Sequence, residues 1–392
     1  MTGSRRTNLR TFVCALGVAQ IVSWGTLFYS IAVLGPPMAR ALDISDVALY
    51  GSFTAGLFMS GIVSPWVGRR IDRGDSRLVL AGGSLLGALA CALLAASVNG
   101  ATMLAGWLMA GVAMAACLYD PAFATLHRVA GASYRSSVTA LTLFGGFAST
   151  VFWPLSQYLL EQRGWRFAFA THAVLNACLC LPLHLAVVRP ALPARESPAI
   201  IRDETRRDTA PRAFFWLATA FSLAAFLASA ISAHLVVLLA AGGLAARDAV
   251  IVGALIGPMQ VAGRAMEFAF AHRFTPLAVG TFAFTLFATA LILLSFVRGV
   301  WLFALAFALL YGWANGLMTI VRGTVPGVLF GSRDFGALLG RLAQPQFILK
   351  AFAPVAVTLL FAVDESHYVA LAALALGALM ALGAYRMATR KV

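Results

Sequence analysis

Apolar runs of about 20 residues recur twelve times along this chain, and nothing else in it constrains the fold as strongly. They lie at roughly 11–34, 47–68, 78–98, 101–123, 137–160, 166–188, 213–240, 249–271, 276–297, 300–321, 336–361 and 366–387. About 20 apolar residues in a helix cross about 30 Å of hydrocarbon. In lipid only helices and closed barrels satisfy the backbone polar groups. The runs therefore predict an all-α membrane protein with twelve transmembrane helices. The composition agrees: 61% of the 392 residues are hydrophobic and 11% are charged, against about 25% charged in soluble domains.

The net charge of +14 would suit nucleic acid, but its placement points to topology instead. With the termini and the central polar segment on one side, that side and its span ends hold 22 basic residues. The opposite loops hold five: Arg40, Arg163, Arg166, Arg247 and Arg298. Basic residues gather in cytoplasmic loops, so both termini are expected in the cytoplasm and no nucleic-acid partner is expected. The Arg- and Ala-rich composition suggests a bacterial source, and so a bacterial inner membrane. The first run, 11–34, is too long for a signal-peptide core and lacks a small-x-small cleavage site. It reads as a retained helix closed by Pro36-Pro37. The five cysteines fall in apolar runs without zinc-site spacing, and read as small buried hydrophobes. No cofactor is expected.

The segment "VRPALPARESPAIIRDETRRDTAPRAF" is the one long polar stretch. It divides the chain into a six-helix bundle at 1–188, a cytoplasmic linker at 189–211 and a second six-helix bundle at 212–392. The halves form a weak repeat. Asp72 and Arg73 follow the second span, and His272 and Arg273 stand 200 positions on, after the eighth. Parallel six-helix repeats are the plan of one large transporter fold.

Gly68-x-x-x-Asp72-Arg73-x-x-x-Arg77 resembles the loop signature of the major facilitator superfamily. The resemblance implies the twelve-helix fold and a secondary transporter working by alternating access. It also implies a gating role for Gly68, Asp72, Arg73 and Arg77, which latch helix ends together. Asp75 and Ser76 replace a glycine and an arginine of that pattern. The residues alone also fit a solvated basic loop serving only topology. "SWGTLFYSIAVLGPPM", "GWRFAF", "SAHLVVLLAAGGL", "GPMQVAGR" and "NGLMTIVRGTVPGVLFG" are similar to the monocarboxylate-transporter-like branch. That branch uses a span-eight arginine to meet an anionic substrate, and Arg264 holds the matching place. Gln260 stands where some members have an aspartate. Span one lacks their lysine, and span four offers Trp107 instead of an arginine.

An ionisable side chain at the centre of a membrane helix costs about 2.5–3.5 kcal/mol and marks a functional candidate. Gln260, Arg264 and Glu267 at i, i+4, i+7 share one helical face. Arg264 reads as a substrate-anion site, and Glu267 as its ion-pair partner or as a proton carrier. Gln346 and Lys350 form a second polar pair in span eleven, where Lys350 is a second cation for the substrate or a partner for Glu267 or Asp120. Tyr311 and Asn315 are candidate substrate hydrogen-bonding groups, with Thr319 and Arg322 continuing their stripe. Arg322 is expected at the inner end of span ten, where topology explains it equally well. In span one, Gln20, Ser23, Trp24 and Tyr29 offer polar and aromatic lining, with Gln20 and Tyr29 singled out for substrate. Asp120, in "LYDPAF", is a second proton-coupling candidate.

These readings predict a proton-coupled transporter, a symporter, for a small organic anion of the monocarboxylate type. The competing reading is a proton-driven efflux carrier for a hydrophobic or cationic compound, with Glu267 and Asp120 as its binding carboxylates. No Walker-type loop, nucleophile–base pair or metal spacing recommends an enzyme. The expected partners are the small-molecule substrate, protons and the lipid bilayer, around a monomer.

Overall fold

The computed structural model describes residues 2–187, 205–331, 333–363 and 368–390. Most of the expected linker, 188–204, lies outside the described residues. Among the described residues twelve helices follow one another, counted between the breaks of the chain. The first six are α1 (2–41), α2 (Asp46–Arg70), α3 (Ser76–Ala95), α4 (100–130), α5 (134–162) and α6 (165–187). The second six are α7 (Thr205–Ala241), α8 (Ala246–Phe270), α9 (Pro276–Leu294), α10 (Trp301–Phe330), α11 (Phe335–Val363) and α12 (Tyr368–Thr389). No strand occurs among the described residues.

Glycines separate helices that would otherwise run together. The apolar helical stretches 46–95 and 100–186 would be about 75 and 130 Å long at the helical rise. That far exceeds about 30 Å of hydrocarbon. Gly74 at φ 104° turns α2 into α3, Gly131 at φ 51° ends α4, and Gly164 at φ 82° separates α5 from α6. Side-chain caps start several helices. The Ser45 hydroxyl accepts from the Ala48 amide, and Thr275 caps α9 with Pro276 behind it. Asn99 and Thr102 form a reciprocal cap on α4. Such caps satisfy amides that a helix start leaves open.

Two expectations need correction. The helix containing Pro36-Pro37 does not end there but continues to Ala41. Prolines are tolerated within membrane helices where neighbouring groups satisfy the carbonyls they leave open. Nor are all five cysteines buried: Cys91, Cys117 and Cys180 are, whereas Cys14 and Cys178 are exposed. In a chain built for lipid, an outward thiol is as acceptable as an outward leucine.

The chain forms two compact units. One comprises Met1–Glu196 with Ser332–Gln344, the other Ser197–Gly331 with Pro345–Val392. The division falls within α11, immediately before Pro345. The second unit is held by a continuous apolar core from Leu227 and Ile231 through Phe287 and Leu291 to Phe307 and Tyr311. Large apolar side chains such as Phe268, Leu302, Leu359 and Leu376 remain exposed, as a surface made for hydrocarbon requires.

Candidate functional site

In the second unit the site begins with glycine. A Cβ on Gly316 would collide with the backbone oxygen of Gln260, and one on Gly312 would lie 2.7 Å from that of Ile256. Gly312 and Gly316, four apart on α10, thus let α8 approach to backbone contact, the use that small-xxx-small stripes serve in membranes. This approach brings Arg264 of α8 to Thr319 of α10, whose hydroxyl accepts from guanidinium Nη2 at 3.4 Å. Arg264 and Glu267 are 5% and 6% exposed, whereas Met266, Phe268 and Phe270 of the same helix are 45%, 51% and 42% exposed. The helix therefore turns its charges inward and its apolar side chains outward, the inverse of a water-soluble helix. Gln260 is half-buried one turn before Arg264.

Helix α10 does not stop near residue 321; it continues to Phe330. Arg322 is thus about 12 Å from the helix end at the helical rise. Its guanidinium lies 5.7 Å from the ring centre of Phe347 on α11. Lys350, half-buried, lies one turn beyond Phe347 on the same helix. The second unit therefore gathers Arg264, Arg322 and Lys350 on three adjoining helices. Arg322 continues the stripe of Tyr311, Asn315 and Thr319, and is the member that topology explains equally well in the sequence. Asn315 is half-buried on the same stripe, and its carbonyl accepts from the Thr319 hydroxyl at 3.2 Å. Gln346 is 4% exposed. Tyr311 has a different environment: it stacks against Phe287 and Phe307 and donates to the Ala228 carbonyl at 3.5 Å. Its hydroxyl belongs to the packing of α7 on α10.

A helix end leaves its last carbonyls without intrahelical donors. The extended backbone at Leu118 breaks α4 after Cys117, and the Gln20 side-chain amide donates to the Cys117 carbonyl at 2.7 Å while its oxygen accepts from Trp24 Nε1 at 3.1 Å. Gln20 is 0% exposed, so in this structure it bridges α1 to α4. Trp24 and Tyr29 bound a π-helical turn, 24–29, of a kind frequent at functional sites. Around it gather Phe28, Phe53, Tyr119 and Trp153, with Trp24–Tyr119 centroids 5.1 Å apart and Tyr29–Trp153 6.1 Å apart. The first unit thus presents an aromatic cluster. Asp120 opens the second segment of α4 after a break at Leu118 and borders a cavity about one water molecule in size, shared with Ser64, Gly68, Gly336 and Gly340.

The loop motif makes contacts of its own. Asp72 accepts from the backbone amides of Gly336 and Ala337, the first turn of α11, at 2.8 and 2.7 Å. Arg128 of α4 donates to the Asp72 carbonyl at 2.6 Å. Gly68, Gly336 and Gly340 allow backbone contact between α2 and this turn, and the Phe335 ring stacks on His127 at 4.1 Å. Burial raises the Asp72 carboxyl above its ordinary value. The Ala337 and Gly336 amides pull it back, Asp334 adds to the rise and Arg128 opposes it. Arg73 is exposed and Arg77 half-buried, so Asp72 carries the contact with α11.

The family model described as Major Facilitator Superfamily matches residues 16–274, more than half of the chain. The chain belongs to the major facilitator superfamily. Members of this superfamily are transporters, and the chain is accordingly a multi-pass membrane transporter, not an enzyme. Its fold is similar to that of FucP in the outward conformation, with TM-score 0.74 and 14% identity over 95% of this chain and 98% of that one. It is also similar to the human organic anion transporter MFSD10, with TM-score 0.72 and 16% identity over 96% and 99%. A variant of the E. coli fucose:proton symporter FucP gives TM-score 0.71 at 15% identity over 95% and 98%. At these identities the likeness is one of fold. No curated protein matches the sequence.

Proposed function

We propose that this superfamily member is a secondary transporter for a small organic anion of the monocarboxylate type, driven by protons. We place it in a bacterial cytoplasmic membrane with both termini in the cytoplasm, on the basic-residue asymmetry of its loops. The observation that carries the substrate class is Arg264: a guanidinium 5% exposed on a membrane helix, held against Thr319, with Arg322 and Lys350 on the adjoining α10 and α11. Each such charge costs about 2.5–3.5 kcal/mol to insert. Beyond their first turns these three helices carry one acidic residue, Glu267, beside four cations, Arg264, Arg322, Arg341 and Lys350. A carboxylate substrate suits such a cationic site, and the Arg264 guanidinium can meet it with bidentate geometry. Gln260, Asn315 and Gln346 offer it amides.

Uptake by purified protein in proteoliposomes, across a panel of monocarboxylates with an imposed pH gradient, tests this reading. Wild type accumulates an anion and Arg264→Ala does not. Equal transport by the two removes Arg264 from the binding site.

The aromatic cluster around Trp24 favours a second reading, an efflux carrier for a hydrophobic or cationic compound. Faces of Trp and Tyr attract cations, and Asp120 would supply the carboxylate. Protection of the Trp fluorescence by lipophilic cations, with no effect of carboxylates, would favour this alternative.

A further inference from the structure

The first turn of α11 has two carboxylates within reach of one pair of amides. The Asp334 carbonyl accepts the first intrahelical bond of α11, from the Leu338 amide at 3.0 Å, which makes Asp334 the residue that caps this helix. A capping side chain accepts from the second or third amide of its helix. Here these are Gly336 and Ala337, and both donate to Asp72 instead. Asp334 is meanwhile held away. Its backbone is left-handed at φ 50°, whereas a capping residue is extended. Its side chain is 73% exposed, 3.9 Å from Arg333. Aspartate is among the few residues other than glycine that tolerate this backbone region, and Gly331 at φ 82° gives the segment a second left-handed joint.

We propose that Asp72 and Asp334 exchange as the cap of α11: Asp72 holds the Gly336 and Ala337 amides when the loop is docked, and Asp334 takes them when it leaves. The exchange keeps the helix start satisfied in both arrangements. Without it, undocking would leave two amides open at the end of a largely apolar helix. Asp334 thereby lowers the barrier and the cost of undocking, and sets how long the contact lasts. The inference concerns the opening of this contact and is independent of the substrate.

The test reads undocking directly. In full-length protein with Cys14 and Cys178, the two exposed thiols, replaced by serine, Ser64→Cys places a thiol under the α11 turn. Ser64 is 4% exposed and packs against Gly340. Its alkylation rate by a small charged thiol reagent follows the undocked population, and Asp72→Ala raises it. Asp334→Ala is expected to slow alkylation about fivefold, the typical worth of a cap. Asp334→Asn and Asp334→Ser, which also cap well, stay within about twofold of wild type. No slowing in Asp334→Ala overturns the proposal. So does equal slowing in the Asn, Ser and Ala variants, because charge repulsion against Asp72 would then explain the effect.

Discussion

Ser229 on α7 donates its hydroxyl to the Lys350 carbonyl on α11 at 2.9 Å, and Pro354 is the reason that oxygen is available. Lys350 lies four residues before Pro354, so the helix supplies no amide for it. His234 adds a contact at the Pro354 carbonyl, 3.0 Å away. Together they bind α7 to α11 at the kink that carries Lys350. Ser229→Ala should cost about 1–3 kcal/mol, the range for a buried acceptor left open. In a Pro354→Ala background the helical amide returns, and the same change should cost under about 0.5 kcal/mol. A double-mutant cycle of unfolding free energies checks this; equal costs in both backgrounds would contradict it.

The approach of α8 to α10 yields a contrast between two glycines. A Cβ at Gly316 meets the Gln260 backbone oxygen, while one at Gly257 meets nothing within 4 Å. Gly316→Ala should therefore destabilise by about 1–3 kcal/mol, the usual cost of overpacking, and should weaken substrate binding by displacing Arg264 from Thr319. Gly257→Ala should be neutral or stabilising by up to about 1 kcal/mol. Thermal unfolding and substrate binding on both variants measure the difference.

Burial raises the Asp72 carboxyl above its ordinary value in the docked loop, and an undocked, solvated Asp72 returns to it. The docked form therefore binds its proton more tightly. Acidification favours docking, the advantage being complete below the ordinary carboxylate value and lost as pH rises through the raised one. Over that window the Ser64→Cys alkylation rate, corrected for the reagent's own pH dependence, should decrease on acidification and increase as pH rises. In Asp72→Asn this dependence should vanish. A rate rising on acidification would contradict the sign.

Much of this was legible in the sequence, and the remainder was hidden for physical reasons. The twelve spans follow from apolar runs because lipid allows few alternatives. Arg264 and Glu267 stood out because a charge in an apolar helix is costly. Arg322 was readable on the span-ten stripe, but the length of helix beyond it was not, because α10 runs on to Phe330, past Pro326; a proline in a packed membrane helix does not end it. Tyr311 lies on the same helical stripe as Asn315 and Thr319, yet spacing along one helix cannot tell a cavity from an aromatic stack with Phe287 on α9. The acceptor Asp72 was readable, but its partners are the backbone amides of Gly336 and Ala337, which no side-chain pattern announces. Gln20 was readable as polar lining; that the break at Leu118 leaves the Cys117 carbonyl open for it depends on how α1 packs on α4.

Proton coupling should separate two candidates. Glu267→Gln is expected to keep exchange of labelled for unlabelled substrate while losing accumulation driven by a pH gradient, because exchange needs no net proton movement. Asp120→Asn, beside its small cavity, gives the same split if that carboxyl carries the proton. Full gradient-driven accumulation in both variants would remove both from the coupling scheme.

The substrate class rests on Arg264, and binding to that side chain is the quantity to measure. Equilibrium binding of monocarboxylates to purified wild type, Arg264→Ala and Arg264→Lys avoids any dependence on coupling or on gating. Loss of a charge-assisted pair costs about 1.5–3 kcal/mol, so Arg264→Ala should bind at least tenfold more weakly. Arg264→Lys, a point charge without the bidentate fork, should fall between. A carboxylate that wild type and Arg264→Ala bind with the same affinity would contradict an anion site at Arg264.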